Sequence, residues 1–148
     1  MVRVTKKELQ AFADLAEEIR LLTEDLNNAR ESIGMRGSLS SQGGARATTN
    51  RDLSAPIARL IGQEEHIAHL TDQLERERMR IEGVITEKLI ARERLVIRYR
   101  YFQGLPWPTI YQKLDMSESS MHRHHSNALR KLDPRPILRL KQAQSGSL

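Results

Sequence analysis

The side chains best suited to chemistry in this sequence fall in one short run, Ser117-Glu118-Ser119-Ser120-Met121-His122-Arg123. Its polar members are hydrogen-bonding groups at the start of a predicted helix, the arrangement that reads base edges in the major groove of DNA. Counted from Ser117 as the cap, the exposed early positions are Glu118, Ser119, His122 and Arg123. An arginine can bridge O6 and N7 of guanine, a carboxylate can accept from N4 of cytosine, and an imidazole can donate or accept. Ser117 and Ser120 can donate to phosphate, as can the backbone N–H groups of a helix start. Asn127, Arg130 and Lys131 lie further along and suit the phosphate backbone or solvent. Arg94 and Arg98, four residues apart upstream, add phosphate charge.

Other chemistries find less support. His66 and His69 stand three apart, and His122, His124 and His125 cluster. A zinc site needs three or four converging ligands, and the chain has no cysteine and no HExxH, so no metal and no cofactor are expected. The better reading sets His122, and with it His125, against DNA, so that binding tightens as pH falls toward the histidine range. There is no glycine-rich phosphate loop, no nucleophile elbow and no carboxylate pair with a pocket, so an enzyme is not expected.

The elements that must position these residues are helices. The 148 residues are 39% apolar and only 4% aromatic, rich in Leu, Ile, Ala, Glu and Arg, which predicts an all-α chain of one domain or two very small ones. The lack of cysteine removes disulfide scaffolds and thiol catalysis. No apolar run approaches the ~18 residues of a membrane span, and MVRVTKKELQ lacks an apolar signal core, so a cytoplasmic protein is expected. Charge is split: residues 1–90 carry 13 basic and 15 acidic side chains, residues 91–148 carry 11 and 4. Only the second half is suited to a polyanion.

Thr5 and Glu8 form a capping box that opens a first helix, assigned to residues 1–33. Its apolar residues Phe12, Leu15, Ile19, Leu22, Leu26, Ala29 and Ile33 step by three and four, a heptad seam needing a partner helix. Residues 34–52 hold Gly34, Gly37, Gly43 and Gly44 with serines and threonines, and read as a flexible linker. A second long helix over 53–88 repeats Leu53, Leu60, Ile67, Leu74 and Ile81, with Glu64, Thr71 and Arg78 weakening the other seam position. The two helices suit an antiparallel hairpin or a homodimer, and the pattern does not choose. Residues 89–133 form a small domain: a helix over 91–102 stopped by Gly104, a short helix from Trp107 to Leu114, a turn at Asp115-Met116-Ser117, and a helix to about Leu132. Residues 134–148 read as a frayed basic tail. Val96, Ile97, Tyr99, Leu105, Trp107, Ile110, Leu114, Met116, Met121, Ala128 and Leu129 are the expected core.

Two short helices joined by a three-residue turn make a helix-turn-helix. Arg92-Glu93, Arg98-x-Arg100-Tyr101, Gly104-Leu105-x-Trp107, Ile110, Leu114, Met116-Ser117 and Ala128-Leu129-Arg130-Lys131-Leu132 resemble the promoter-binding region four of sigma factors. The resemblance implies that Glu118, Ser119, His122 and Arg123 occupy base-reading positions, and it allows contact with RNA polymerase. Tyr111, Asp115 and His124 depart from the family, which favours a small residue, a turn glycine and an apolar residue there. The order of long helix, Gly/Ser-rich break, second helix and sigma-like end is similar to phage and prophage regulators of the ArpU/RinA type. That resemblance implies control of late, packaging or morphogenesis genes in a bacterial host, at the nucleoid, with the N-terminal helices forming a homo-oligomer. The competing readings are a small-terminase-like packaging subunit and a coiled-coil adaptor.

Overall fold

The computed structural model describes residues 2–42 and 52–134, with the stretch 35–42 as backbone alone. They form five helices: α1 (Lys6–Gln42), α2 (Ser54–Lys88), α3 (Ala91–Ile97), α4 (Trp107–Lys113) and α5 (Glu118–Leu132), and α3 continues into a π-helical turn over Arg98–Phe102. No strand occurs among the described residues, so the all-α class is found as expected. α1 runs past Ile33 to Gln42, well into the stretch read as linker. Glycine costs a helix only about 1 kcal/mol, which Gly34 and Gly37 do not raise enough to stop it. The rest of the expected linker, 43–51, and the tail from 135 lie outside the described residues.

The described chain divides into two compact units: Met1–Ala16 with Leu74–Leu148, and Glu17–Gln73. In the second unit α1 and α2 of the same chain run antiparallel. Arg30 pairs with Glu64, while Ala29 and Ile33 share a hollow with Pro56 and Leu60. Leu26 is the one buried member of this seam among the described residues. Ile19, Leu22, Ala29 and Ile33 on α1, and Leu60, Ile67 and Leu70 on α2, are only half-buried. Two helices cannot enclose a seam, so its apolar area stays partly wet.

The first unit is better closed. The predicted capping box forms: Thr5 N donates to Glu8 Oε2 at 2.7 Å and Glu8 N to Thr5 Oγ1 at 3.1 Å. The hydrogen bond from the Thr5 backbone holds the Glu8 carboxyl below its ordinary value, and Arg80 adds to the effect. Before the box the chain is not helical, Val4 is fully buried, and its N–H donates to Leu132 O at the end of α5 (3.0 Å). Arg80 Nη1 donates to Arg3 O at 3.3 Å, and Lys88 Nζ to Val2 O at 3.0 Å. The main core joins Val4, Leu9 and Phe12 to Ile81, Val84, Ile85 and Leu89 of α2, to Ile97 and Tyr101, and to Ala128 and Leu132 of α5. Each Val, Leu, Ile or Phe side chain among them contributes about 1.5–3 kcal/mol on burial. Residues 2–16 and the end of α2 thus share this core with the segment 89–133.

Candidate nucleic-acid interface

A second core cluster sits inside the helix-turn-helix itself: Val96, Ile110, Leu114 and Met121, with Tyr99, Leu105, Trp107, Tyr111 and Met116 packed on it. Trp107 is thus a packed aromatic, as expected. α4 opens with Pro108 in its first turn, which fits because the N–H there lacks an intrahelical acceptor. It ends in a Schellman arrangement: Met116 N donates to Tyr111 O at 3.1 Å and Asp115 N to Gln112 O at 3.2 Å. Asp115 takes φ +50° in place of glycine, and Arg92 Nη1 donates to Leu114 O at 3.0 Å. Ser117 then caps α5, its Oγ accepting from Ser120 N at 3.1 Å. The hydroxyls of Ser117 and Ser119 lie 3.3 Å apart.

α5 buries Met121, His125, Ala128 and Leu132 along one stripe and presents the opposite face. On that face Glu118, Ser119 and Arg123 are exposed and His122 is half-buried. Among the described residues the Arg123 guanidinium has no hydrogen-bond or ion-pair partner. His122 Nε2 stands 3.7 Å from Glu118 Oε1, one turn away. The structure therefore brings the predicted base-reading residues together on the first two turns of one helix.

Several other predicted contacts are engaged within the protein. Arg98 is bidentate to Glu82, Nε at 3.1 Å and Nη2 at 2.8 Å, and this pairing raises the Arg98 pKa and lowers that of Glu82. Lys131 Nζ donates to both oxygens of Glu93, at 2.7 and 3.0 Å. Glu93 is 2% exposed and also accepts from Ile90 N at 3.2 Å, so Lys131 neutralises a buried carboxylate instead of reaching outward. Arg94 Nη1 donates to Leu89 O at 2.6 Å, and Arg130 to Asn127 Oδ1. Arg100 Nη1 donates to Leu105 O at 3.1 Å and its guanidinium lies 4.3 Å over the Trp107 ring.

His125 is also corrected. It does not face outward with His122: it is 7% exposed, and its Nε2 shares a 2.8 Å hydrogen bond with the Tyr101 hydroxyl. Burial, with the Lys6 and Arg100 charges nearby, pushes its pKa down to about 4, so the ring is neutral at pH 7. The π-helical turn makes this contact possible. Gln103 N reaches back five residues to Arg98 O (3.0 Å), and the widened turn carries Tyr101 to His125 and Phe102 to within 4.9 Å of Phe12. The signal was available in the sequence, since 121, 125, 128 and 132 are spaced as one helix face. His124 lies off that face, half-buried, with no hydrogen-bond partner for Nδ1.

Residues 87–133 match the family model of sigma-70, region 4. The match takes in α3, the π-helical turn, α4 and α5, so this segment is a sigma-like helix-turn-helix domain, and the match supports sequence-specific DNA binding. It covers about a third of the chain. No curated protein and no solved structure matches the chain significantly. The arginines and Glu93 that carried the resemblance in sequence (Arg92, Glu93, Arg98, Arg100) all make contacts inside the compact unit that carries this segment, the sigma-like unit, holding it together. Among the described residues no helix is long and apolar enough to cross a membrane.

Proposed function

We propose that the protein is a sequence-specific DNA-binding transcription regulator that docks α5 in the major groove. The observation that carries this reading is the first two turns of α5. Glu118, Ser119, His122 and Arg123 stand together there, and Arg123 is unpaired, within a segment that matches sigma-70, region 4. Ser117, Ser120 and the N–H groups of the capped helix start meet phosphate, and Asn127 and Arg130 lie further along the strand. The reading includes no catalytic step and no cofactor. It sets the protein at the nucleoid of a bacterial cell, in contact with RNA polymerase, and the arrangement along the chain favours control of late or packaging genes of a phage or prophage. The unit Glu17–Gln73 would serve as the dimerising element. Its seam is half-buried, and Leu21, Ile57 and Ile61 are exposed besides.

Selection from a randomised duplex pool at ~150 mM salt tests the reading. Wild type is expected to enrich a motif, and the Arg123→Ala/His122→Ala variant to lose or relax it, each good base contact being worth about 1–3 kcal/mol. Salt-sensitive binding without enrichment would leave the basic half as an electrostatic anchor, and the packaging or adaptor readings would replace this one.

A further inference from the structure

We propose that Trp107 is a positioning residue that sets how His122 reads its base pair, an inference that rests on the DNA-reading role of α5. A continuous stack of rings runs from the core to the reading face. Tyr101 is buried and holds His125 by the 2.8 Å hydrogen bond, with the two rings 5.8 Å apart and nearly parallel at 24°. His125 meets Trp107 at 4.7 Å and 70°, edge to face. Trp107 meets His122 at 5.1 Å and 58°, and the His122 side chain is 44% exposed, the link at which the stack reaches solvent. Arg100 lies over the indole at 4.3 Å.

The backbone under Trp107 is stiff. It stands between Pro106 and Pro108 at the first position of α4, so its φ/ψ range is narrow and its neighbours have fixed φ. A histidine on an open helix face samples several rotamers and must give them up on meeting a base. Packed against a fixed indole, His122 has lost that freedom before DNA arrives, which amounts to about threefold to tenfold in affinity for a rotamer-rich side chain. The gain falls on the one base pair that His122 contacts, because the Trp107 ring meets His122 and His125 and lies under Arg100, while the Arg123 guanidinium has no such ring contact. Trp107 therefore acts on selectivity without touching DNA.

The test compares wild type, Trp107→Phe, His122→Ala and the double variant of the full chain on the selected duplex and on its single-base-pair substitutions. Trp107→Phe keeps an aromatic ring in the core. It is expected to relax discrimination about threefold to tenfold at the same base pair as His122→Ala and nowhere else. The double variant should be no worse there than His122→Ala alone, and the salt dependence should not change. Uniform weakening on all duplexes, or unchanged discrimination, overturns the proposal. A second measurement needs no DNA and no stable variant: in free wild type, NMR should show the His122 ring protons displaced by the indole ring current. Random-coil positions for those protons overturn the positioning role even if wild type selects a motif. A wild type that shows the displacement but selects no motif removes the DNA reading itself, and the positioning role with it.

Discussion

The two units of this chain use the same kinds of side chain to different ends. In the sigma-like unit Leu9, Ile81, Ile85, Ile97, Ile110, Met121 and Leu132 lose all contact with solvent. In the Glu17–Gln73 unit a regular heptad leaves every described seam residue but Leu26 short of full burial. The difference is geometric. The sigma-like unit converges the start of α1, the end of α2 and three short helices around two clusters, so each apolar face has neighbours on several sides. The other unit has two helices and one line of contact. A regular heptad thus announces pairing, whereas burial depends on how many elements meet.

The largest expected effect breaks or upholds this contrast directly. Ile85→Ala, in the main core, should cost about 2–5 kcal/mol. Leu60→Ala, in the half-buried seam, should cost under about 1.5 kcal/mol, since part of its transfer energy is never gained. Denaturant titration of both variants at low protein concentration checks the pair. Equal losses would mean that the seam is covered in solution, which a dimer would do. Repeating Leu60→Ala over a hundredfold range of protein concentration separates the two cases.

Much of the sigma-like unit was legible from local signals. Gly104, Pro108, Ser117 and Pro134 punctuate helices through backbone chemistry that acts within a few residues, and α3, α4 and α5 begin and end close to where these place them. The reading face of α5 followed from the same cap. What was not legible depends on partners distant in sequence. Val2–Thr5 gives no hint that Val4 will bond to Leu132, 128 positions on. Arg98 and Lys131 look like free cations until Glu82 and Glu93 are brought beside them. The heptad of α1 reads evenly along its length, although Phe12 belongs to a closed core and Ile19 to an open seam. Only His125 was misread against an available local signal, the spacing of the buried stripe.

A smaller effect sharpens the contrast by pH. Trp107, the single tryptophan, lies in the sigma-like unit 4.7 Å from His125, so its fluorescence follows that unit while far-ultraviolet circular dichroism follows all helices. His125 titrates near 4 when folded and near 6.5 when unfolded. The unfolded chain therefore binds the extra proton between those values, and the stability contributed by the neutral ring, complete above about pH 6.5, is lost as pH falls toward 4. Between pH 7 and pH 5 the sigma-like unit should lose about 1–2 kcal/mol, allowing for the part of the ring that solvent still reaches. His125→Phe should flatten the fluorescence-detected slope over that range. An unchanged slope in the variant would assign the sensitivity to other groups.

The smallest expected effect lies at Asp115, where the two α4 hydrogen bonds of the Schellman turn require φ +50°. A side chain in the left-handed region costs about 1 kcal/mol, somewhat less for Asp than for most residues. Asp115→Gly relieves that cost but gives the unfolded chain more freedom, a loss of about 0.4–1 kcal/mol. The two terms nearly cancel, so the melting temperature seen by Trp107 should stay level or rise slightly. Asp115→Ala keeps the steric cost and removes the short polar side chain that tolerates this conformation, so it should lower the transition. A clear drop for glycine would mean that the Asp115 carboxylate itself holds the turn, and that the helix-turn-helix depends there on a charge and not on backbone shape.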